Sequence, residues 1–279
     1  MGAMPSGRII RVLSWNIRAG IGPGPFPDRW WSRIDADRMR AIGSFIGEVG
    51  ADVVALQEVA LLSRNGDLVD NAGDLARQLD MEVRFAAVRT FEVSEDGAAT
   101  GVGCFGNALL SRMRFGTSRT IALPAAPVTA FVEPTGTDHR WAGVRYTDAP
   151  ASVREPRCLL VADIDGMRFG STHFSHIGSG ERLLQAEATL GAFADASSAV
   201  LLGDLNAAIE APELAPLAGW TEGFVTAAGD ASRISTDHGG RIDHVLAQGA
   251  SIRDCRVLRE SGELSDHYPL VAEIDPQER

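Results

Sequence analysis

Apolar positions along this chain alternate between two rhythms, runs of five to nine residues and a longer spacing of three and four. The stretch "IIRVLSWNI" (residues 9–17) reads as a strand, and "RAGIGPGPFP" after it can only be loop. From Asp35 to Val49, Met39, Ile42, Phe45, Ile46 and Val49 keep helical spacing. That helix feeds "ADVVALQEV", a buried strand ending in Glu58. A short helix is expected over Asp74–Leu79, a strand at "EVRFAAV", and another at "GNALLS" with Asn107 at its start. In "RCLLVADIDGMRFGSTHF", Asp165-Gly166 between two alternating segments signals a hairpin. Gly180–Ala194 is helical, and "AVLLGDLN", "RIDHVLA" and "SDHYPLVAEI" are strands. Arg119–Pro156 mixes prolines, glycines and short apolar pieces, and reads as strands and long loops.

Strands follow strands in some places and alternate with helices in others. This suits an α/β protein with a mixed sheet, or two sheets packed on each other with helices outside. The 45% hydrophobic content of 279 residues is enough for one large core, and no composition break divides the chain. We expect one domain over residues 8–275, with "MGAMPSG" set aside as a tail.

Charge narrows the chemistry. With 26 Lys+Arg against 37 Asp+Glu, the net charge of −11 argues against nucleic-acid binding by bulk attraction alone. The chain contains no lysine, which removes Schiff-base catalysis and the lysine of nucleotide-binding loops. Base composition of the genome is the plainer cause of that absence. Cys104, Cys158 and Cys255 are widely spaced and odd in number, and suit reduced core residues better than disulfides or a zinc site. No apolar run approaches the ~20 residues of a membrane span, and no secretory apolar region precedes the first strand. The expectation is a cytoplasmic monomer without stable membrane insertion.

Polar residues recur at the ends of the apolar runs: Asn16, Glu58, His173, Asp204 with Asn206, Asp243, and Asp266 with His267. Alternation of an extended chain through "LLGDLN" points Asp204 and Asn206 the same way. Singly, each has an ordinary explanation. Asn16 and Asn206 suit turns, Asp204 a cap, and His173 a satisfied histidine. His139, His176, His238 and His244 read as structural or surface residues. Glu58 is harder to dismiss, since a carboxylate after "VVALQ" must be paired or solvated. As a set the residues suit magnesium, which takes hard oxygen ligands: Glu58, Asp266 and the Asn16 amide would suffice. Asp204 can orient or deprotonate a water, Asn206 can hold it, and His267 with Asp243 can stabilise developing charge, with His173 as a second imidazole.

The ordered series "SWNI", "ALQEV", "GNALLS", "REPR", "STH", "GDLN", "IDHV" and "SDHYPLVAEI" resembles the endonuclease/exonuclease/phosphatase superfamily, from about Arg8 to Ile274. The resemblance implies a deoxyribonuclease I-like fold: a four-layer αββα sandwich, two mixed β-sheets face to face with helices outside. It implies Mg²⁺ (or Mn²⁺) at Asn16, Glu58 and Asp266. Asp204, Asn206, His173, His267 and Asp243 would be catalytic, with Asp243 the partner of His267. Arg154, in "REP", falls where the superfamily has a phosphate-contacting arginine, and Asn107 joins it as a candidate substrate-binding residue.

Departures narrow the group. "QEVA" stands where abasic-site endonucleases show "QETK". "GDLNAAI" lacks the arginine that inositol polyphosphate 5-phosphatases carry two residues after "GDxN". The implied activity is phosphodiester hydrolysis by an activated water, on nucleic acid, a phospholipid head group or a small phosphodiester. A phosphomonoesterase, or a non-catalytic binding module retaining the fold, is the alternative. Trp30 and Trp31 could stack on a base or insert at a lipid surface. Packing on their own domain is the commoner outcome for tryptophans beside prolines.

Overall fold

The computed structural model describes residues 8–25, 29–64, 66–95, 98–125, 140–141, 144–145, 156–223 and 233–276. Its first sheet is built from β1 (Ile10–Asn16), β2 (Val53–Arg64), β3 (Asp67–Asp70), β4 (Glu82–Glu95), β5 (Ala98–Ser111), β14 (Ala250–Val257) and β15 (Leu270–Pro276). The order is β14-β15-β1-β2-β5-β4, with β3 paired to β2. The second sheet is built from β6 (Phe115–Ala122), β9 (Cys158–Ile164), β10 (Met167–His173), β11 (Ala199–Asp204), β12 (Thr221–Glu222) and β13 (Asp243–Gln248). Here the order is β12-β13-β11-β10-β9-β6. Each sheet is mixed, with a parallel pair at its centre, β1 with β2 and β10 with β11. Two short strands, β7 (Arg140–Trp141) and β8 (Val144–Arg145), pair only with each other.

The period-2 pattern of the strands explains the layering. Val12, Val53, Ala55 and Leu109 point inward from the first sheet and meet Leu160, Phe169, Val200 and Val245 of the second. The alternate residues Leu13, Trp15, Val54 and Leu56 point outward. They are covered by α1 (Ala36–Val49) and α2 (Asn71–Leu79), through Met39, Ile42, Ile46, Leu75 and Leu79. Leu201 and Leu246 on the outer face of the second sheet are covered by α3 (Ser179–Ala192) and the 3₁₀ turn Pro212–Leu217. The result is the expected four-layer sandwich.

Helix boundaries follow their caps. The Asp35 side chain accepts from the backbone N–H groups of Asp37 and Arg38, and Gly50 ends α1 in the left-handed region at φ +68°. The Asp165-Gly166 turn forms the expected β9–β10 hairpin, with φ of +49° and +89°.

Three expectations are corrected. Strands β4 and β5 are twice the expected length, and α2 begins at Asn71. The edge strand β14, in "ASIRDCRV", was not anticipated, because it buries only one side and is broken by a bulge between Ile252 and Asp254. The added halves of β4 and β5 extend with β2 and β3 into an arm that packs Phe91, Val93 and Phe105 around Trp30 and Trp31. Trp30 lies 5.1 Å from Phe91 and 5.3 Å from Phe105, ring centre to centre, and Trp31 stacks on Phe91. The two tryptophans are therefore core residues, 1% and 8% exposed, rather than a base- or lipid-contacting pair. Among the described residues no helix is long and apolar enough to cross a membrane.

Candidate active site

Strand direction alone gathers the polar residues. Asn16, the last residue of β1, is the register partner of Gln57 where the parallel pairing of β1 with β2 stops. In the second sheet His173 pairs with Asp204, and Asp204 with Asp243, across β10, β11 and β13. All these positions lie at one end of the sandwich, and the turn before β15 brings Asp266 and His267 to the same end. Three bonds hold that turn: Trp15 Nε1 donates to the His267 carbonyl at 2.9 Å, Ser265 Oγ to the Asn16 carbonyl at 2.8 Å, and Asp237 N to the Asp266 carbonyl at 2.9 Å.

Glu58 reaches the site through a bulge. Leu56 pairs with Ala108 but Val59 with Gly106, so Gln57 and Glu58 together face Asn107. Glu58 sits at φ +52°, a conformation costly for a residue with a Cβ and kept where surrounding structure imposes it. Glycine at 203 has a simpler cause: a Cβ there would lie 2.3 Å from the Thr172 carbonyl oxygen of the adjacent strand. Asn206 departs from expectation. The strand ends at Asp204 and Asn206 turns at φ +50°, so alternation no longer sets its direction. Its backbone N–H donates to Asp204 Oδ1 at 2.9 Å, and its amide donates to the Phe174 carbonyl.

The side chains converge on Asp204. Asn16 Nδ2 donates to Glu58 Oε1 at 3.0 Å and to Asp204 Oδ2 at 3.2 Å. His173 Nε2 lies 3.4 Å and His267 Nε2 3.8 Å from the same Asp204 oxygen. His267 Nδ1 is 2.8 Å from Asp243 Oδ2. Asp266 accepts an ion pair from Arg18 Nε at 3.2 Å. Asp204, Asp243 and His267 also present ligand atoms within 4.8 Å of one another. The short His267–Asp243 bond makes that group a hydrogen-bonded relay in this structure.

Burial and charge set the protonation states. Burial, then the neighbouring Asp266 charge, push the Glu58 carboxyl up to about 7. Burial and Asp243 raise Asp204 as well. Burial works against a charged His267, but Asp243, Asp204 and Asp266 outweigh it and hold the imidazolium well above its ordinary range. His173 goes the other way, held neutral by burial and by the charge of Arg157. The two imidazoles are thus pushed apart, His267 toward the charged form and His173 toward the neutral one, with both Nε2 atoms near the same Asp204 oxygen.

A cation fits beside Glu58. Its Oε2 atom is buried without a partner among the described residues, and its raised pKa marks negative charge that nothing nearby fully offsets. Glu58 and Asp266 supply hard oxygen donors, and Asn16 Oδ1, which accepts from Arg18 N at 3.1 Å, keeps a second lone pair.

A family model described as the endonuclease/exonuclease/phosphatase family matches residues 13–267. The chain belongs to this family. Its members are phosphoester hydrolases, and the chain is a hydrolase of phosphoester bonds. No curated protein matches it in sequence. Among solved structures it resembles an endonuclease/exonuclease/phosphatase from Beutenbergia cavernae, with TM-score 0.70 and 20% identity over 96% of this chain and 71% of that one. It also resembles the human Nocturnin catalytic domain with bound sulfate, at TM-score 0.62 and 17% identity over 95% and 93%. A mannosyl-6-phosphatase from Bacteroides thetaiotaomicron gives TM-score 0.61 and 18% identity over 95% and 99%. At these identities the likeness is one of fold.

Of the sequence-selected residues, Asn16, Glu58, His173, Asp204, Asn206, Asp243, Asp266 and His267 come together. Asn107 does not stand at a strand start. It lies within β5 opposite the bulge, buried, and its amide donates to the Cys158 carbonyl at 3.0 Å, tying the two sheets. Arg154 lies outside the described residues. The neighbouring Arg157, passed over in "REPR", is buried close enough to His173 to depress its pKa, and its Nη2 is 3.4 Å from His176 Nδ1. Arg18 was also missed, since nothing in the sequence brings it to Asp266. His244 behaves as expected of a structural histidine, bonded to the Ala207 carbonyl at 2.8 Å.

Proposed function

We propose that the protein is a Mg²⁺- or Mn²⁺-dependent phosphodiesterase that works by in-line attack of water held at Asp204. The observation that carries this reading is the line Asp243–His267–Asp204 beside a Glu58 oxygen that is unpartnered among the described residues. A divalent ion held by Glu58, Asp266 and Asn16 would offset charge on the phosphoryl oxygens. Asp204, with its raised pKa, takes a proton from the attacking water as the new P–O bond forms. His267, protonated and oriented by Asp243, faces the charge that develops at phosphorus, and neutral His173 donates a hydrogen bond from the other side. The opposite P–O bond breaks, and the departing alkoxide takes a proton from solvent. The excess of carboxylates in the site favours a diester, with its single negative charge, over a dianionic monoester.

Turnover of bis-p-nitrophenyl phosphate and of plasmid DNA, with and without EDTA, tests the reading. Activity abolished by chelation and restored by Mg²⁺ or Mn²⁺ is expected. Turnover indifferent to EDTA contradicts it. Faster cleavage of p-nitrophenyl phosphate than of the diester would move the assignment to a phosphomonoesterase.

A further inference from the structure

Arg18 touches two of the three residues that would hold the cation, and the proposed reaction gives it no part. Its backbone N–H donates to Asn16 Oδ1 at 3.1 Å, and its Nε lies 3.2 Å from Asp266 Oδ2. The first contact decides how the Asn16 amide lies. An N–H can only donate, so the amide oxygen turns to Arg18 and leaves the nitrogen for Glu58 Oε1 and Asp204 Oδ2, 3.0 and 3.2 Å away.

The second contact holds Asp266. Repulsion between Asp266 and Glu58 is part of what raises the Glu58 carboxyl, and the Arg18 charge acts against that rise. The other oxygen, Asp266 Oδ1, has the Ser265 hydroxyl at 3.3 Å, but the single proton of that hydroxyl is engaged by the Asn16 carbonyl at 2.8 Å. Oδ1 thus keeps lone pairs for a cation while Oδ2 stays on the guanidinium.

The local chain is shaped to keep the guanidinium there. Arg18 and Ala19 sit at φ +49° and +51°, costly for residues with a Cβ and kept where surrounding structure imposes it. Arg18 Nη1 donates to the Gly22 carbonyl at 2.6 Å, and Asp35, the cap of α1, donates its N–H to the Gly20 carbonyl at 3.3 Å. With its side chain only 8% exposed, Arg18 cannot trade Asp266 for water without leaving charge buried.

We propose that Arg18 is a positioning residue for the metal site: it presets Asn16 and Asp266 as donors beside Glu58 before the cation arrives, and it stays on Asp266 once the cation is bound. This role rests on the metal-dependent reading above. A guanidinium also repels a nearby divalent ion, so the sign of its effect on affinity separates a residue that presets ligands from one that competes for them.

Calorimetric titration of wild type and variants with Mn²⁺, at a pH above the Glu58 titration, reads that sign, with the melting temperature of each metal-free protein recorded alongside. Arg18→Met, which fills the space without donors or charge, should weaken Mn²⁺ binding by about 10- to 100-fold. Arg18→Lys, which returns the charge without the planar fork, should regain part of that loss. Tighter binding by Arg18→Met would make Arg18 a competitor and overturn the assignment. Unchanged affinity with a lowered melting temperature would make it a packing residue, with the same result. Where Arg18→Met fails to fold, a crystal structure of the wild-type protein with Mn²⁺ decides: Asp266 holding the ion and Arg18 together is expected, and Arg18 turned off Asp266 overturns it. A wild-type protein that binds no Mn²⁺ sinks the metal-dependent reading itself, and the role of Arg18 with it, before any variant is compared.

Discussion

Asp243 Oδ2 lies 2.8 Å from His267 Nδ1, and the other nitrogen of that imidazole lies 3.8 Å from Asp204 Oδ2. The carboxylate therefore orients the ring so that its other nitrogen points to Asp204, and it favours the charged form of the ring. Asp243→Asn is expected to lower kcat by about 100-fold or more with little change in KM, because orientation and charge act on the transition state. Asp204→Ala should lose at least about two orders of magnitude, as the proposed proton acceptor itself is gone. Steady-state kinetics on a diester checks both. A change confined to KM would remove these residues from the chemical step.

In the proposed metal site, Glu58 would link metal affinity to pH. Its folded-state pKa of about 7 exceeds the ordinary 4.5. Below 4.5 the folded and unfolded chains both carry the proton, and Glu58 contributes nothing. Between 4.5 and 7 the unfolded chain ionises first, so the metal-free protein loses stability as pH rises, by at most about 1.4 kcal/mol per pH unit, and the loss is complete above 7. A cation bound there displaces the proton, so affinity should climb with pH and level off above about 7. Calorimetry in buffers of different ionisation enthalpy should show proton release at about pH 6 that nearly vanishes at about pH 8 and is absent in Glu58→Gln. An affinity independent of pH would exclude Glu58 as a ligand.

The tryptophans of the 3₁₀ turn support the arm. With Trp30 1% exposed among Phe91 and Phe105, Trp30→Ala should destabilise the fold by about 3–5 kcal/mol. Diester turnover of the folded fraction should change by less than about twofold, since the ring neighbours of Trp30 are Trp31, Phe91 and Phe105 rather than the carboxylates and imidazoles of the site. Urea unfolding followed by intrinsic fluorescence measures the first, and activity in buffer the second. Unaltered stability with lost activity would make Trp30 a substrate contact.

What the sequence disclosed was the part that repeats with strand period. Apolar runs ending in Asn16, His173 and Asp204, and one starting at Asp243, place their polar termini at one end of the sheets, because parallel neighbours run the same way and the antiparallel β13 starts where β11 ends. The hairpin at Asp165-Gly166 was legible from its two turn residues. Features set by contact between distant segments were not. The bulge at Glu58, the left-handed turn at Asn206 and the inter-sheet bond of Asn107 all depend on neighbours 30 or more residues away. The outer half of β5 carries Gly101 and Gly103 in place of alternating apolar residues, so period-2 reading stopped there, where packing on Trp30 and Trp31 begins.

Arg157 tests how much of the site that reading passed over. A guanidinium only donates, so the 3.4 Å approach of its Nη2 to His176 Nδ1 requires Nδ1 to be the acceptor nitrogen. Its charge, after burial, is the next largest influence keeping His173 neutral. Removing that charge should let the His173 pKa rise: Arg157→Gln should move the His173 titration upward in a histidine-labelled NMR experiment, and Arg157→Lys should leave it near the wild-type position. If the same guanidinium also meets the anionic substrate, Arg157→Gln should lower kcat/KM on a phosphodiester by about 10- to 100-fold, the worth of one hydrogen bond to a charged group. Lysine, a point charge on a different stem, should restore the titration more fully than the activity. A glutamine variant with unchanged titration and unchanged kcat/KM would reduce Arg157 to a packing residue and return the search for a phosphate contact to Arg154.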